Sequence, residues 1–293
     1  MILSFTLSRA GLCRIWTAAA VLALAPLFAQ AGPLGYVTNF SGQFGVMDLG
    51  TGAFSPIGPG TNIPDGLGGK PGGPLFTVDG SNGHLLRIAT NGTVTDVGDT
   101  GTGVQVAPNG ISIMGSLTDG SLYALDFSNK LFSINSNTGG LTSLGTVALP
   151  TQESDYSGNM TTSFNGNATT LYYTLEISGG PNQTGPTLFA INPQTLAVTS
   201  IALTGLQGRL IGSGFIGNVF YGFDEFGDIV NINTGTGAAT FVASYDSGST
   251  PANPGPPFTG VFGVVATPEP GSLGLGTVGL GMGMIALRRK RII

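Results

Sequence analysis

Short apolar runs alternate with turns rich in Gly, Thr and Asn through the whole central part of the chain. One unit recurs five times: an aromatic strand, a turn, a strand with an apolar end, a Thr-Gly-type turn and a third short strand. The aromatic openings are Gly35-Tyr36-Val37, Leu75-Phe76-Thr77, Leu122-Tyr123-Ala124, Leu171-Tyr172-Tyr173 and Val219-Phe220-Tyr221. Runs of this length between turn residues predict β-strands, and no long 3.6-residue period predicts a helix here.

The spacing of the openings predicts the fold class. From Tyr36, successive openings follow after 40, 47, 49 and 48 residues. Candidate fourth strands lie between the units, at 110–114, 159–164, 210–216 and 258–265. Four short strands on such a period are typical of β-propeller blades, whose radial arrangement protects the sheet edges. We therefore predict an all-β propeller of about five four-stranded blades.

The two ends of the repeat array predict how the propeller closes. The first unit has no strand before it, and the segment 258–265 follows the last unit with nothing after it. We expect these pieces to complete one blade, so that a C-terminal strand joins the ends of the ring. A β-sandwich or a β-solenoid is the alternative, but a sandwich does not predict self-similarity, and solenoid coils are usually shorter.

The first unit has the closest match to a known repeat. Tyr36-Val37-Thr38-Asn39 is followed by Met47-Asp48, Thr51-Gly52 and Ile57-Gly58. This order resembles the YVTN family of β-propeller repeats. The resemblance implies the same fold and carries no statement about activity.

The first 31 residues have the pattern of a secretory signal. Arg9 and Arg14 accompany an apolar run at 15–28, and Ala29-Gln30-Ala31 supplies the small residues that signal peptidase accepts. A signal anchor is the alternative, but the run is shorter than the ~20 residues of a membrane span. We expect cleavage after Ala31, which removes Cys13 and leaves a chain without cysteine.

The end of the chain combines a short motif, an apolar stretch and a basic cluster. Pro268-Glu269-Pro270 precedes the uncharged stretch 271–287, which is followed by Arg288, Arg289, Lys290 and Arg291. This order resembles PEP-CTERM sorting tails, a type also called the ice-binding-protein C-terminal domain. The resemblance implies that an exosortase-type transpeptidase cuts near the motif. An ordinary C-terminal membrane tail is the alternative.

The terminal segments predict domains, location and partners. We expect a signal peptide at 1–31, a propeller domain at 32–266, and a sorting segment with a transmembrane helix at 267–293. The protein would be anchored transiently in the inner membrane and then reach the cell envelope, surface or extracellular matrix. Signal peptidase, the transpeptidase and the membrane are the expected partners. The resemblance adds exopolysaccharide or envelope proteins.

Charge and composition restrict the chemistry. The chain has a net charge of -5, but the part at 32–267 has only four cations, Lys70, Arg87, Lys130 and Arg209, against fourteen Asp and Glu. Without a basic stripe, nucleic-acid binding is disfavoured. A single histidine, His84 in a turn, together with the loss of Cys13, argues against zinc and thiolate sites. No metal or cofactor is expected.

Carboxylates are the remaining catalytic candidates. Glu153 and Asp155 precede a predicted inner strand, and Asp224, Glu225 and Asp228 lie in a hairpin. A glycosidase would need two carboxylates about 5–9.5 Å apart. We favour a protein that is not an enzyme and that binds carbohydrate or protein. A carboxylate-dependent polysaccharide hydrolase or lyase and a purely structural matrix protein are the alternatives.

One unit contains an insertion. The fourth unit has extra residues between its first two strands, in the stretch 178–187. An insertion confined to one hairpin of a repeat protein maps to a loop on one face, often the binding face. The candidate binding loop is formed by Gly179, Gly180, Pro181, Asn182, Gln183 and Thr184.

Overall fold

The computed structural model describes residues 32–39, 42–58, 60–61, 66–101, 111–150, 160–177, 184–245 and 261–268. The chain divides into two units, Met1–Gly32 and Pro33–Ile293. All described strands belong to the second unit. The predicted signal peptide, with Ala29 and Ala31, lies outside the described residues, as does the segment from Glu269 onward. A search of the described ranges finds no helix with the length and hydropathy of a membrane span.

The described strands form five groups of four, which we call blades 1 to 5. Blade 1 contains β1 (Leu34–Asn39), β2 (Phe44–Asp48), β3 (Phe54–Pro56) and the last strand, β20 (Val261–Ala266). Blade 2 contains β4 (Gly68–Gly69), β5 (Leu75–Val78), β6 (His84–Ile88) and β7 (Val94–Asp99). Blade 3 contains β8 (Ile111–Ser116), β9 (Leu122–Asp126), β10 (Lys130–Ile134) and β11 (Leu141–Thr146). Blade 4 contains β12 (Met160–Gly166), β13 (Leu171–Ile177), β14 (Thr184–Ile191) and β15 (Val198–Ala202). Blade 5 contains β16 (Leu210–Ile216), β17 (Val219–Asp224), β18 (Asp228–Ile232) and β19 (Ala239–Ser244).

Each blade is an antiparallel sheet that follows chain order from its inner to its outer strand, except blade 1. There, β20 is the inner strand and pairs antiparallel with β1, with Gly35 opposite Ala266. Blades 1 and 5 also share a parallel contact between Ser213 and Gly263, so these two blades form one continuous eight-stranded sheet. The prediction that a C-terminal strand completes the blade of the first unit is confirmed.

The inner strands of the five blades follow one another around a common centre. Each of β4, β8, β12, β16 and β20 contacts the inner strand of both neighbouring blades. The last residues of these strands line one shallow depression, so all five end on the same side. We call this side the terminal face and the opposite side, where the inner strands begin, the connection face. The part of the chain described is all-β with a propeller-like fold.

The strand register refines the repeat alignment. The aromatic residue of each second strand faces the residue just before the apolar end of the third strand. In blade 5 this residue is Tyr221, which faces Asn231, whereas Phe220 faces Ile232. The aromatic residue of blade 5 that corresponds to those of the other blades is therefore Tyr221, one residue later than the expected Phe220. The inner strand of blade 2, for which the sequence offered no candidate, is the two-residue strand at Gly68–Gly69.

The turn between the third and outer strands joins each blade to the preceding one. In four blades a glycine with positive φ occupies this turn: Gly52, Gly92, Gly139 and Gly237. A Cβ at any of the four would strike the backbone of the preceding blade. Blade 5 has two successive Thr-Gly pairs, and the glycine with positive φ is Gly237 of the second pair and not Gly235 of the first. In blade 4, which lacks the Thr-Gly pair, Leu196 takes this position with φ 60°.

Apolar side chains fill the spaces between neighbouring blades. The cluster between blades 3 and 4 includes the fully buried residues Leu125, Leu171 and Tyr173. A second cluster joins blades 5 and 1 and includes Val37 and Phe223. Because every blade packs on two others, the hydrophobic core is a circle of interfaces around the inner strands.

Candidate functional site

The longest second-to-third-strand hairpin is that of blade 4. Ile177, which pairs with Thr184, lies five residues beyond the aromatic position Tyr172. In blades 3 and 5 the second strand ends at Asp126 and Asp224, three residues beyond its aromatic position. Two more residues extend β13 by about 7 Å at ~3.3 Å per residue. These hairpins follow second strands that run away from the terminal face, so the long hairpin projects from the connection face.

The predicted binding loop falls at the end of this hairpin. Residues 178–183, which include Gly179, Gly180, Pro181, Asn182 and Gln183, lie outside the described residues. Thr184 is the first residue of β14 and so belongs to a strand. The hairpin that carries the loop is therefore described, and the loop itself stays a prediction.

Asp224 has a structural task that recurs in other blades. Its Oδ1 accepts hydrogen bonds from the backbone N–H groups of Phe226 at 3.0 Å and Asp228 at 2.8 Å. Asp126 of blade 3 accepts two backbone N–H groups of its own hairpin in the same way. A short acidic side chain at this point organises the turn, as Asx turns do. The candidate carboxylate is thus part of the repeat's turn chemistry.

The other oxygen of Asp224 is unusual. Asp224 is fully buried, and its Oδ2 has no hydrogen-bond partner among the described residues. Burial raises the pKa of Asp224 to about 6, helped by the nearby charges of Asp228 and Glu225 and opposed by its two backbone hydrogen bonds. The carboxyl group is therefore costly to ionise in the folded protein.

The remaining acidic candidates of this hairpin are also engaged. Glu225 forms an ion pair with Arg209, with Nε at 2.9 Å from Oε2, and its Oε1 accepts the backbone N–H of Arg209 at 3.2 Å. Asp228 accepts a hydrogen bond from the hydroxyl of Ser244 at 2.7 Å. The described ranges contain no group of three His, Cys, Asp or Glu placed to hold a metal. The other two candidates, Glu153 and Asp155, lie in 151–159, outside the described residues.

His84 is the first residue of β6 and not a free turn residue. Its Nδ1 lies 2.8 Å from Oδ2 of Asp96 on the neighbouring outer strand, and both side chains are partly exposed. Its backbone N–H donates to Oδ1 of Asn82. The contact connects two strands of one blade at its surface.

Asn165 links the blades at the centre of the ring. Its Oδ1 accepts the backbone N–H of Ser116 at 3.2 Å. Its Nδ2 donates to the carbonyl oxygens of Leu67 at 3.2 Å and Ser213 at 2.8 Å. A Cβ at Gly263 would lie 3.2 Å from the same Nδ2. One buried side chain of blade 4 thus contacts blades 2, 3 and 5 by hydrogen bonds and blade 1 by packing.

Sequence reasoning missed Asn165. The available signal was the Phe164-Asn165-Gly166 segment, which places a polar residue near the end of an inner strand. An amide there can donate and accept at once, which suits a point where several strand ends meet. Without the register of the blades, the same residue reads as an ordinary turn asparagine.

A shallow depression with a cavity volume of about 20 Å³, enough for about one water molecule, lies over Asn165 on the terminal face. Apolar lining is supplied by Pro71, Leu117, Phe215 and Val265. Ala266, the last residue of β20, also lines it. The depression is therefore next to the point at which the described chain ends.

Both ends of the described chain leave the propeller together on the terminal face. Thr267 donates its backbone N–H and its hydroxyl to the carbonyl oxygen of Leu34, each at 3.2 Å. Of the predicted sorting motif, Pro268 is described and exposed, while Glu269 and Pro270 lie outside the described residues. The basic cluster of Arg288, Arg289, Lys290 and Arg291 also lies outside them.

Comparisons with known proteins add fold likeness only. No protein-family model matches the chain, and no curated protein matches it in sequence. A streptogramin B lyase structure is 14% identical over 70% of this chain and 63% of its own, with a TM-score of 0.38. An inactive variant of virginiamycin B lyase from Staphylococcus aureus, solved with quinupristin, is 13% identical over 70% and 64%, with a TM-score of 0.39. The extracellular domain of a one-component system from B. thetaiotaomicron is 16% identical over 71% and 26%, with a TM-score of 0.38.

These comparisons correct one expectation. The prediction that the chain is not an enzyme is contradicted, because the first matched structures are named as lyases. The match spans less than two thirds of the length of each lyase. At 12–14% identity and TM-scores below 0.4, the likeness assigns no activity to this chain.

Proposed function

We propose that this chain is an exported propeller of the cell envelope that binds a carbohydrate or protein partner. Binding takes place on the connection face, at the loop carried by the β13–β14 hairpin. The C-terminal segment delivers the protein through an exosortase-type sorting system. The observation that carries the proposal is the extension of this hairpin beyond its counterparts in blades 3 and 5.

The position of the chain ends supports the same assignment. Thr267 and Leu34 are hydrogen-bonded to each other on the terminal face. A membrane or matrix attachment through the C-terminal segment would leave the connection face open to partners. Loops on a rigid scaffold, placed away from the point of attachment, are well suited to recognition.

The loop's chemistry indicates the class of ligand. The segment 178–183 contains Ser, Gly, Pro, Asn and Gln and carries no charge. Hydroxyl and amide groups donate and accept hydrogen bonds, as sugar hydroxyls require. The acidic body, with fourteen Asp and Glu against four cations, would repel an acidic polymer. A neutral polysaccharide is therefore the ligand that these residues fit best.

A glycan array tests the proposal. The full-length chain would be compared with a variant in which 178–183 is replaced by Asn-Gly, which closes a hairpin with two residues. We expect the variant to lose binding and to keep the melting temperature. As a matched control, the same Asn-Gly pair replaces Gly217-Asn218, a turn on the terminal face, and binding should be retained. If the unmodified chain binds no glycan on the array, the assignment of a polysaccharide ligand is wrong.

A further inference from the structure

The asparagine at the centre of the ring is followed directly by a glycine. Asn165 and Gly166 are the last two residues of the inner strand β12, and both are buried. Asparagine is one of the chemically labile residues of proteins. A glycine after it favours loss of the amide, because glycine has no side chain to shield its backbone nitrogen and its backbone is unusually free. The centre of the ring therefore contains a pair whose sequence favours deamidation.

The fold requires both members of this pair. The amide of Asn165 holds three other blades by hydrogen bonds. A Cβ at Gly166 would lie 2.5 Å from the carbonyl oxygen of Thr170 and 2.6 Å from Cδ2 of Leu117. That carbonyl oxygen is itself fixed, because it accepts the backbone N–H of Asn167 at 3.0 Å. A stable ring therefore keeps the glycine that makes Asn165 reactive.

Deamidation of this pair has two steps. The backbone nitrogen of Gly166 gives up its proton and bonds to Cγ of Asn165, while the bond from Cγ to Nδ2 breaks and the amide nitrogen leaves as ammonia. Water then opens the cyclic imide at either carbonyl carbon, which leaves aspartate or isoaspartate at position 165. The five-membered ring needs a backbone conformation that an extended strand does not have. The folded protein therefore opposes the first step, since β12 is extended and three hydrogen bonds fix the amide.

Either product would weaken the centre of the ring. Aspartate lacks the NH2 group that donates to the carbonyl oxygens of Leu67 and Ser213, and it places a buried negative charge against them. Isoaspartate adds a carbon to the main chain, which disturbs the register of β12 with β13 where Asn165 lies opposite Tyr172. Both changes act at the residue that contacts all four other blades.

We propose that Asn165-Gly166 is a deamidation site that the closed ring protects, and that its modification in the unfolded chain prevents stable closure. The pair then limits how long an unfolded chain remains able to fold. The chemistry is independent of the proposed ligand, and its importance for a chain exported unfolded rests on the export proposed above.

Two other Asn-Gly pairs provide a comparison within the same chain. Asn82 and Asn91 are exposed, and their Oδ1 atoms accept backbone N–H groups of their own turns, from His84 at 2.9 Å and Thr93 at 3.1 Å. These contacts stay within one blade. Modification of either turn should therefore leave the closed ring intact.

Pulse proteolysis of the aged full-length chain tests the proposal. The chain is held in urea at mildly alkaline pH, which favours deprotonation of the backbone nitrogen, and is then returned to a urea concentration just below its unfolding midpoint. A brief pulse of protease digests the unfolded molecules. Peptide mapping by mass spectrometry compares the surviving chains with the sample before the pulse. We expect modification at 165 to be at least about tenfold lower in the survivors, the effect of a stability loss of about 1.4 kcal/mol.

Asn91 is the matched internal control, and its modification should be equally frequent before and after the pulse. A parallel sample kept in native buffer should lose Asn165 at least about tenfold more slowly than the urea sample. Survivors that carry modified 165 in the original proportion would overturn the effect on closure. Equal rates in native buffer and urea would overturn the protection. Since no glycan, sorting enzyme or membrane enters the assay, its failure is distinct from a failure of the proposed function.

Discussion

Leu196 of blade 4 lies directly over Gly145 of blade 3. A Cβ at Gly145 would be 2.5 Å from Cδ1 of Leu196. In each of the other blades a left-handed glycine of the same turn meets the preceding blade, whereas here a leucine meets a glycine. A glycine of the preceding blade also stands at this contact where Gly92 meets Gly58 and where Gly139 meets Gly98, but between blades 3 and 4 Gly145 is the one glycine of the pair.

The pair predicts a measurable coupling. Gly145→Ala should destabilise the protein by about 2–3 kcal/mol, because the new methyl meets Leu196 and because φ of Gly145 is 137°. Adding Leu196→Ala should recover the steric part, giving a coupling of about 1 kcal/mol in urea unfolding. Strictly additive effects of the two substitutions would show that Leu196 does not restrict Gly145.

A second pair of glycines separates backbone strain from blade contact. Gly237 and Gly217 have φ of 75° and 59°, but only Gly237 faces another blade, at the carbonyl oxygen of Ala202. Gly217→Ala should lower the free energy of unfolding by only about 1 kcal/mol, because its sole effect is to place an alanine in a left-handed backbone conformation. Gly237→Ala should lower the free energy of unfolding by about 2 kcal/mol more than Gly217→Ala, because the new methyl group meets backbone atoms that cannot move aside. Equal melting temperatures would contradict the interface assignment.

The central asparagine should be among the most sensitive positions. Asn165→Ala removes three hydrogen bonds and leaves buried backbone groups of three other blades without this partner. We expect a loss of about 2–4 kcal/mol in the free energy of unfolding. Asn137→Ala, at an exposed turn position, provides the control and should stay within about 0.5 kcal/mol of the original.

Removal of the hydroxyl group should change the stability of the protein in opposite directions at two tyrosines. Tyr173 is fully buried, its hydroxyl has no hydrogen-bond partner within the described ranges, and burial raises its pKa. Tyr173→Phe should therefore stabilise the protein by about 1 kcal/mol. The hydroxyl of Tyr245 donates to the carbonyl oxygen of Asp224 at 2.8 Å, so Tyr245→Phe should destabilise by about 1 kcal/mol. Calorimetry of both variants decides the matter.

Asp224 predicts a pH dependence of stability. Burial raises its pKa to about 6, above the ~3.9 of an unfolded chain, so the folded state binds the proton more tightly. The contribution of Asp224 to the free energy of unfolding is therefore most favourable below about pH 4. It decreases as the pH rises towards 6, by at most about 3 kcal/mol.

Asp224→Asn tests this dependence, and an asparagine already occupies the corresponding position in another blade. Asn39 occupies the corresponding position in blade 1, where its Oδ1 accepts the backbone N–H of Gln43 at 2.9 Å. The variant should be more stable than the original at pH 7 and about equal at pH 4 in urea unfolding. A constant difference between the two pH values would mean that Asp224 does not titrate in this range.

The repeat pattern predicted the fold well because it reports local chemistry. Aromatic strands and Thr-Gly turns recur in the sequence, and closure by the C-terminal strand followed from counting them. Details that depend on contacts between blades could not be read in this way. Leu196 departs from the turn pattern, yet only its position over Gly145 explains why a leucine is suitable there.

The candidate site was less predictable. The acidic hairpin at Asp224 carries the composition of a catalytic or metal site, but its carboxylates are used for turn geometry and an ion pair. Asn165 carried no distinctive motif, although it contacts all four other blades. Sequence identifies residue types, whereas a site depends on which atoms are left free after the fold has used the rest.

The hydrogen bond between Thr267 and Leu34 joins residues that are 233 positions apart in the chain. Blade 1 therefore cannot form until nearly the whole body has been synthesised, however early the other four are complete. The entropy of closing so long a loop grows only slowly with its length, so the delay is a matter of timing more than of stability. A protein that is exported in an unfolded state would benefit from this order, because the ring closes only after the chain has crossed the membrane.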